Sequence, residues 1–104
     1  MKLLCCMYCE DVFKLSFKPR KCDCGRVAGY YLNNMEAVVS PDAVSIAIGN
    51  GSFLIAQGQL QSSVNAKLNR EEWQLVGKIM AWVRPNEGVG NPHTRVVPRE
   101  EIEV

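Results

Sequence analysis

A chain of 104 residues with 12 Lys+Arg, 11 Asp+Glu and a 47% hydrophobic fraction has room for one domain and a modest core. The formal charge of +1 lacks the basic excess that usually accompanies nucleic-acid or acidic-membrane partners, and the apolar content is too high for a disordered chain. The longest apolar run, Leu3 to Cys9, is far short of the ~20 residues of a membrane span and meets Glu10-Asp11 at once, which also makes it a poor signal-peptide core. The expected location is therefore cytoplasmic, where thiols stay reduced.

Val12 to Phe17 alternates, with Phe13, Leu15 and Phe17 on one face and Lys14 and Ser16 on the other, which is the period of a half-buried strand. Lys18-Pro19-Arg20-Lys21 supplies a turn, and Val27 to Asn33 reads as a second strand weakened by Gly29. Ala37-Val38-Val39 precedes the turn signal Pro41-Asp42, and Val44, Ile46 and Ile48 alternate in a third strand. After Gly49-Asn50-Gly51, Ser52 is the expected N-cap of a helix over about 53–67, with Phe53, Ala56, Leu60, Val64 and Leu68 on one stripe. Residues 70–84 fit a helix or a strand, and we favour a strand over 78–84. Pro85 to Pro92 is a loop by composition, Thr94 to Val97 an edge strand stopped by Pro98, and the acidic residues 100–104 a frayed tail.

Charge sorts the chain in the same way. Residues 1–35 carry six basic and three acidic side chains, residues 36–66 only Glu36 and Asp42, and residues 67–104 six of each sign. The expectation is a single α+β domain. A cysteine-bearing N-terminal part over 1–34 continues into a small antiparallel sheet with one packed helix over 35–99, followed by the tail.

The chemistry lies in the cysteines. All five fall within the first 24 residues, an odd number whose clustering favours metal ligation over a disulfide framework. Cys6-Met7-Tyr8-Cys9 is a C-x2-C pair and Cys22-Asp23-Cys24-Gly25 a C-x-C pair followed by glycine. The twelve residues between them can fold back as a hairpin and bring the pairs together. Four thiolates in a closed tetrahedron are the preferred shell of a structural Zn2+, with Cys6, Cys9, Cys22 and Cys24 as ligands. Cys5 falls on the opposite strand face and reads as a packing residue. Four thiolates and one Zn2+ sum to −2, and Lys14, Lys18, Arg20, Lys21 and Arg26 are the cations that could offset it.

A closed thiolate shell leaves no open position for water, and no nucleophile–base pair is recognisable, so an enzyme is not expected. Gly49-Asn50-Gly51-Ser52 reads as a strand-to-helix turn without a phosphate-binding pattern. His93, the single histidine, reads first as a surface residue of its Pro-rich loop. Together with Trp82, Arg84 and Arg95 it forms the candidate set for a small-ligand site.

The pattern Cys6-x-x-Cys9, Asp11-Val12, Arg20-x-Cys22-x-Cys24-Gly25-x-x-x-Gly29-x-Tyr31 resembles small uncharacterised bacterial and bacteriophage proteins with an N-terminal zinc ribbon. The resemblance extends through Ala43-Val44, Ile48-Gly49 and Ser52-Phe53, and loosely to Trp82-Val83-Arg84-Pro85; Cys5 and the stretch Gln57–Glu72 depart from it. It implies the metal and the ribbon, and a phage or prophage accessory role on host machinery. The leading expectation is a non-enzymatic interaction module with a protein partner or a second copy. Sequestration of a small nucleotide signal is the first alternative. Nucleic-acid binding along the Lys14–Arg26 edge is the least favoured, and no membrane partner is expected.

Overall fold

The computed structural model describes residues 2–64, 67–73 and 76–104. They form a mixed α+β fold with two four-stranded sheets and one main helix. The chain divides into two compact units, residues 48–82 and residues 2–47 with 83–104.

In the larger unit, β1 (Lys2–Cys6) lies between β2 (Val12–Lys14) and β6 (Ala43–Ile48), antiparallel to both. Leu4 faces Phe13 on one side and Ser45 on the other; the fourth strand of this sheet, β7 (Ala81–Arg84), lies half in each unit. The second sheet has the order β3-β4-β5-β8, built from β3 (Arg20–Lys21), β4 (Ala28–Tyr31), β5 (Ala37–Val39) and β8 (Thr94–Val96). Its first three strands are antiparallel, whereas β8 runs parallel to β5, so this sheet is mixed and not purely antiparallel.

Apolar periodicity decides which side chains are buried. Leu4 and Cys6 of β1, Phe13 and Leu15, Cys22, Val27, and Ala37 and Val39 of β5 form one core cluster drawn from both sheets. Val38 points the other way and packs with Ala28 and Ile102. The uninterrupted Ala-Val-Val run of β5 is thus buried on both faces, as expected of a central strand without polar alternation. The alternation that begins at Val12 holds as far as Leu15. Phe17 then leaves the strand, is 60% exposed, and stands with its ring 6.1 Å from that of Tyr31.

Two other segments of this unit differ from expectation. The residues between the two cysteine pairs do not form one hairpin, since β2 pairs with β1 and β3 with β4. The C-terminus is not frayed: Arg99–Glu101 forms a 3-10 turn and Ile102 is almost fully buried. One apolar residue among carboxylates gives no periodic signal, and only the partners Ala28 and Val38 explain its burial.

In the smaller unit, α1 (Asn50–Val64) starts three residues earlier than expected. Ser52 is not its cap: its hydroxyl donates to the Gly49 carbonyl and accepts the Met80 N–H. The ambiguous segment is both helix and strand, a short α2 (Arg70–Trp73) followed by β7 from Ala81. Asn69 and Glu72 close the start of α2 reciprocally, each side chain accepting the other's N–H.

Candidate metal centre

Each cysteine pair occupies a turn of its own. The first lies between β1 and β2, where the Cys6 N–H donates to the Asp11 carbonyl and the Glu10 N–H to the Cys6 carbonyl. The second lies between β3 and β4, where the Cys22 N–H donates to the Val27 carbonyl and the Gly25 N–H to the Cys22 carbonyl. In both, the residue after the second cysteine is left-handed, Glu10 at φ 61° and Gly25 at φ 81°. The two turns come from different sheets and meet across the core cluster that contains Cys6 and Cys22.

The four sulfurs converge. Those of Cys6, Cys9, Cys22 and Cys24 all lie within 4.8 Å of one another, with Cys24 Sγ at 3.6 Å from Cys6 and 3.5 Å from Cys22. Zn–S bonds of ~2.3 Å in a tetrahedron imply S···S edges of about 3.8 Å, so the donor set suits such an ion in number, chemistry and spacing. Cys6 and Cys22 are buried, Cys9 is half-buried and Cys24 is exposed, so the cluster has a core side and a solvent side. Cys5 is half-buried and lies outside the cluster.

A backbone amide addresses one of the buried sulfurs: the Val27 N–H donates to Cys22 Sγ at 3.3 Å. Burial works to raise the Cys22 pKa, yet the Val27 N–H and the neighbouring thiols outweigh it and lower the value to about 6. At Cys24 the Arg26 amide works to lower the pKa, but desolvation and the adjacent Cys22, Cys6 and Cys9 dominate and push it up to about 12. Four thiols this close cannot all ionise side by side: the cluster favours Cys22 as the thiolate and Cys24 as the protonated thiol. A cation among them removes that conflict.

Two further contacts tie one turn to the other. The Asp11 carboxylate accepts the Asp23 N–H at 3.1 Å, and the Arg26 guanidinium lies 4.2 Å from the centre of the Tyr8 ring. Arg20, another of the expected offsetting cations, stands over the Phe13 ring. Tyr8 and Asp11 escape a search for donors because each acts through a neighbour. So does Arg99, whose Nε donates to the Gly25 carbonyl at 2.7 Å from 74 residues away.

The other expected site is only partly assembled. His93 and Arg95 line a cleft of about 210 Å³ with Glu36, Ala37, Pro92 and Thr94. Neither Trp82 nor Arg84 is among the described residues that line it. Trp82 belongs to the smaller unit and is part exposed. Arg84 lies in the larger unit, close enough to Lys2 that its charge, after burial, lowers the Lys2 pKa; Lys2 in turn donates to Thr94 Oγ1 at 2.9 Å. No helix among the described residues is long and apolar enough to cross a membrane.

Comparison of the chain with protein-family models, with curated proteins and with solved structures finds no match.

Proposed function

We propose that this chain is a zinc-binding interaction module without catalytic activity of its own. The convergence of four sulfurs within 4.8 Å, two from each of two turns, carries the reading. Zinc is the metal assigned because four thiolates are its usual structural shell, and a shell filled by protein leaves no position for a reacting water. One ion joining the two turns would cross-link the two sheets, so its binding free energy would add to that of folding.

The interaction role is supported by α1. Its fifteen residues carry no charged side chain, and Leu54, Ile55, Leu60 and Val64 are each at least half exposed. Leu54 and Ile55 lie off the stripe of Phe53, Leu60 and Val64, so the apolar surface is not confined to one face. A helix of this kind is ordinarily covered, and a protein partner or a second copy is the cover proposed. The resemblance to phage and bacterial zinc-ribbon proteins supports an accessory role on host machinery. Sequestration of a small anionic ligand such as a nucleotide is a second reading, favoured by the shared cleft of His93 and Arg95.

Native mass spectrometry of protein purified without added metal tests these readings together. One zinc per chain and a discrete oligomer or protein complex are expected. A folded, metal-free chain overturns the metal reading. A zinc-loaded monomer carrying a nucleotide transfers the function to the second.

A further inference from the structure

Resting on the reading of the cysteine cluster as a metal site, we propose that Arg99 is a positioning residue for the metal: its guanidinium holds the turn that carries Cys24 by gripping the carbonyl one residue further on. The Gly25 carbonyl accepts Arg99 Nε–H at 2.7 Å, and the Gly25 N–H donates to the Cys22 carbonyl at 3.0 Å, so the grip falls on the loop that holds the second cysteine pair. Cys24 is the exposed member of the cluster, so its place depends on that turn and not on the core.

The guanidinium is itself fixed. Arg99 Nη1 donates to the Ile102 carbonyl at 2.8 Å, the Ile102 N–H donates back to the Arg99 carbonyl, and the Ile102 side chain is buried against Ala28 and Val38. The C-terminal segment thus braces the second cysteine turn at Gly25, whose left-handed backbone a Cβ would strain. The brace supplies the outer support that orients a metal ligand, where loss of such a partner typically weakens metal affinity by roughly 10–100-fold.

The test uses the full-length chain loaded with zinc and, separately, with Co2+ as a spectroscopic probe. The variants are Arg99→Ala, Arg99→Lys and Ile46→Ala. Arg99→Ala is expected to lose zinc to a competing chelator with an affinity weakened roughly 10–100-fold. It should also shift the sulfur-to-cobalt charge-transfer band and speed hydrogen exchange of the Gly25 amide, which donates to the Cys22 carbonyl in the same turn. Arg99→Lys, which keeps the charge but not the planar fork, should fall between Arg99→Ala and the parent. Ile46→Ala, a half-buried position on β6 outside both the brace and the cysteine cluster, lowers thermal stability but should leave the cobalt band near that of the parent.

Parent-like affinity and band in Arg99→Ala overturn the brace and leave the metal reading intact. So does an Ile46→Ala variant matching Arg99→Ala in both readouts, since the effect would then be general loosening. A parent chain that takes up neither zinc nor cobalt overturns the metal reading and the brace with it.

Discussion

Glu10 and Gly25 occupy equivalent places, one residue past the second cysteine of each pair, and both have positive φ. The left-handed region costs a residue with a Cβ about 1 kcal/mol, so Glu10→Gly is expected to raise the unfolding free energy of the zinc-loaded protein by about that much. Gly25→Ala should lower it by about 1 kcal/mol, because a Cβ at Gly25 meets nothing within 4 Å and only the backbone term remains. Urea unfolding monitored by far-UV circular dichroism measures both. Gly29 is a different case. In sequence it merely weakens a strand, but a Cβ there would lie 2.7 Å from Leu4 Cδ1 and 2.9 Å from the Val38 carbonyl oxygen. The leucine can turn aside and the backbone oxygen cannot. Gly29→Ala should therefore destabilise by about 1–3 kcal/mol, and an unchanged unfolding midpoint would show that the sheet yields there freely.

Among the elements, the C-terminal turn is the clearest example of structure invisible to local pattern. Ile102 is bracketed by Glu100, Glu101 and Glu103, and only long-range packing onto Ala28 and Val38 makes it a core residue. Truncating a buried isoleucine costs about 2–5 kcal/mol, so Ile102→Ala should lower the denaturant midpoint well beyond what a frayed tail would allow. The strands were legible where side chains alternate or run apolar without a break, as in Phe13-Lys14-Leu15, Ala37-Val38-Val39 and Val44 to Ile48. Pairing was not: nothing local tells β2 to join β1 rather than β3, because that choice depends on which apolar faces meet in the core. The start of α2 was legible in principle, since Asn69 and Glu72 stand at capping-box spacing, but a four-residue helix carries too few apolar positions to show a period. The site divides along the same line. Cysteine spacing named the four sulfurs that converge, whereas Arg99, Tyr8 and Asp11 act through contacts that no spacing encodes.

For the molecule as a whole, the cluster is continuous with the packing of the larger unit. Cys6 and Cys22 belong to the same core cluster as Leu4, Phe13, Leu15, Val27 and Val39, so a change at the sulfurs is a change in the core. Uptake of the proposed metal would displace the proton that Cys24 holds up to about 12, while Cys22, lowered to about 6, is already largely ionised at neutral pH. Binding is therefore expected to release protons, and affinity should fall as pH drops and protons compete for the thiolates. Calorimetric titration in buffers of differing ionisation enthalpy measures that release directly. The sign of the stability change follows. Cys22 has a folded pKa below its ordinary 9.0, so its contribution is full above that value and is lost as pH falls through about 6. Acidification is thus expected to weaken the thiolate network and, with it, the hold on the proposed metal. Hydrogen exchange should register this as coordinated loss of protection at the amides of Cys6 and Val27 when zinc is chelated at neutral pH, and again without chelator as the pH is lowered. Protection at those amides that survives chelation would mean that the two sheets hold together without the ion.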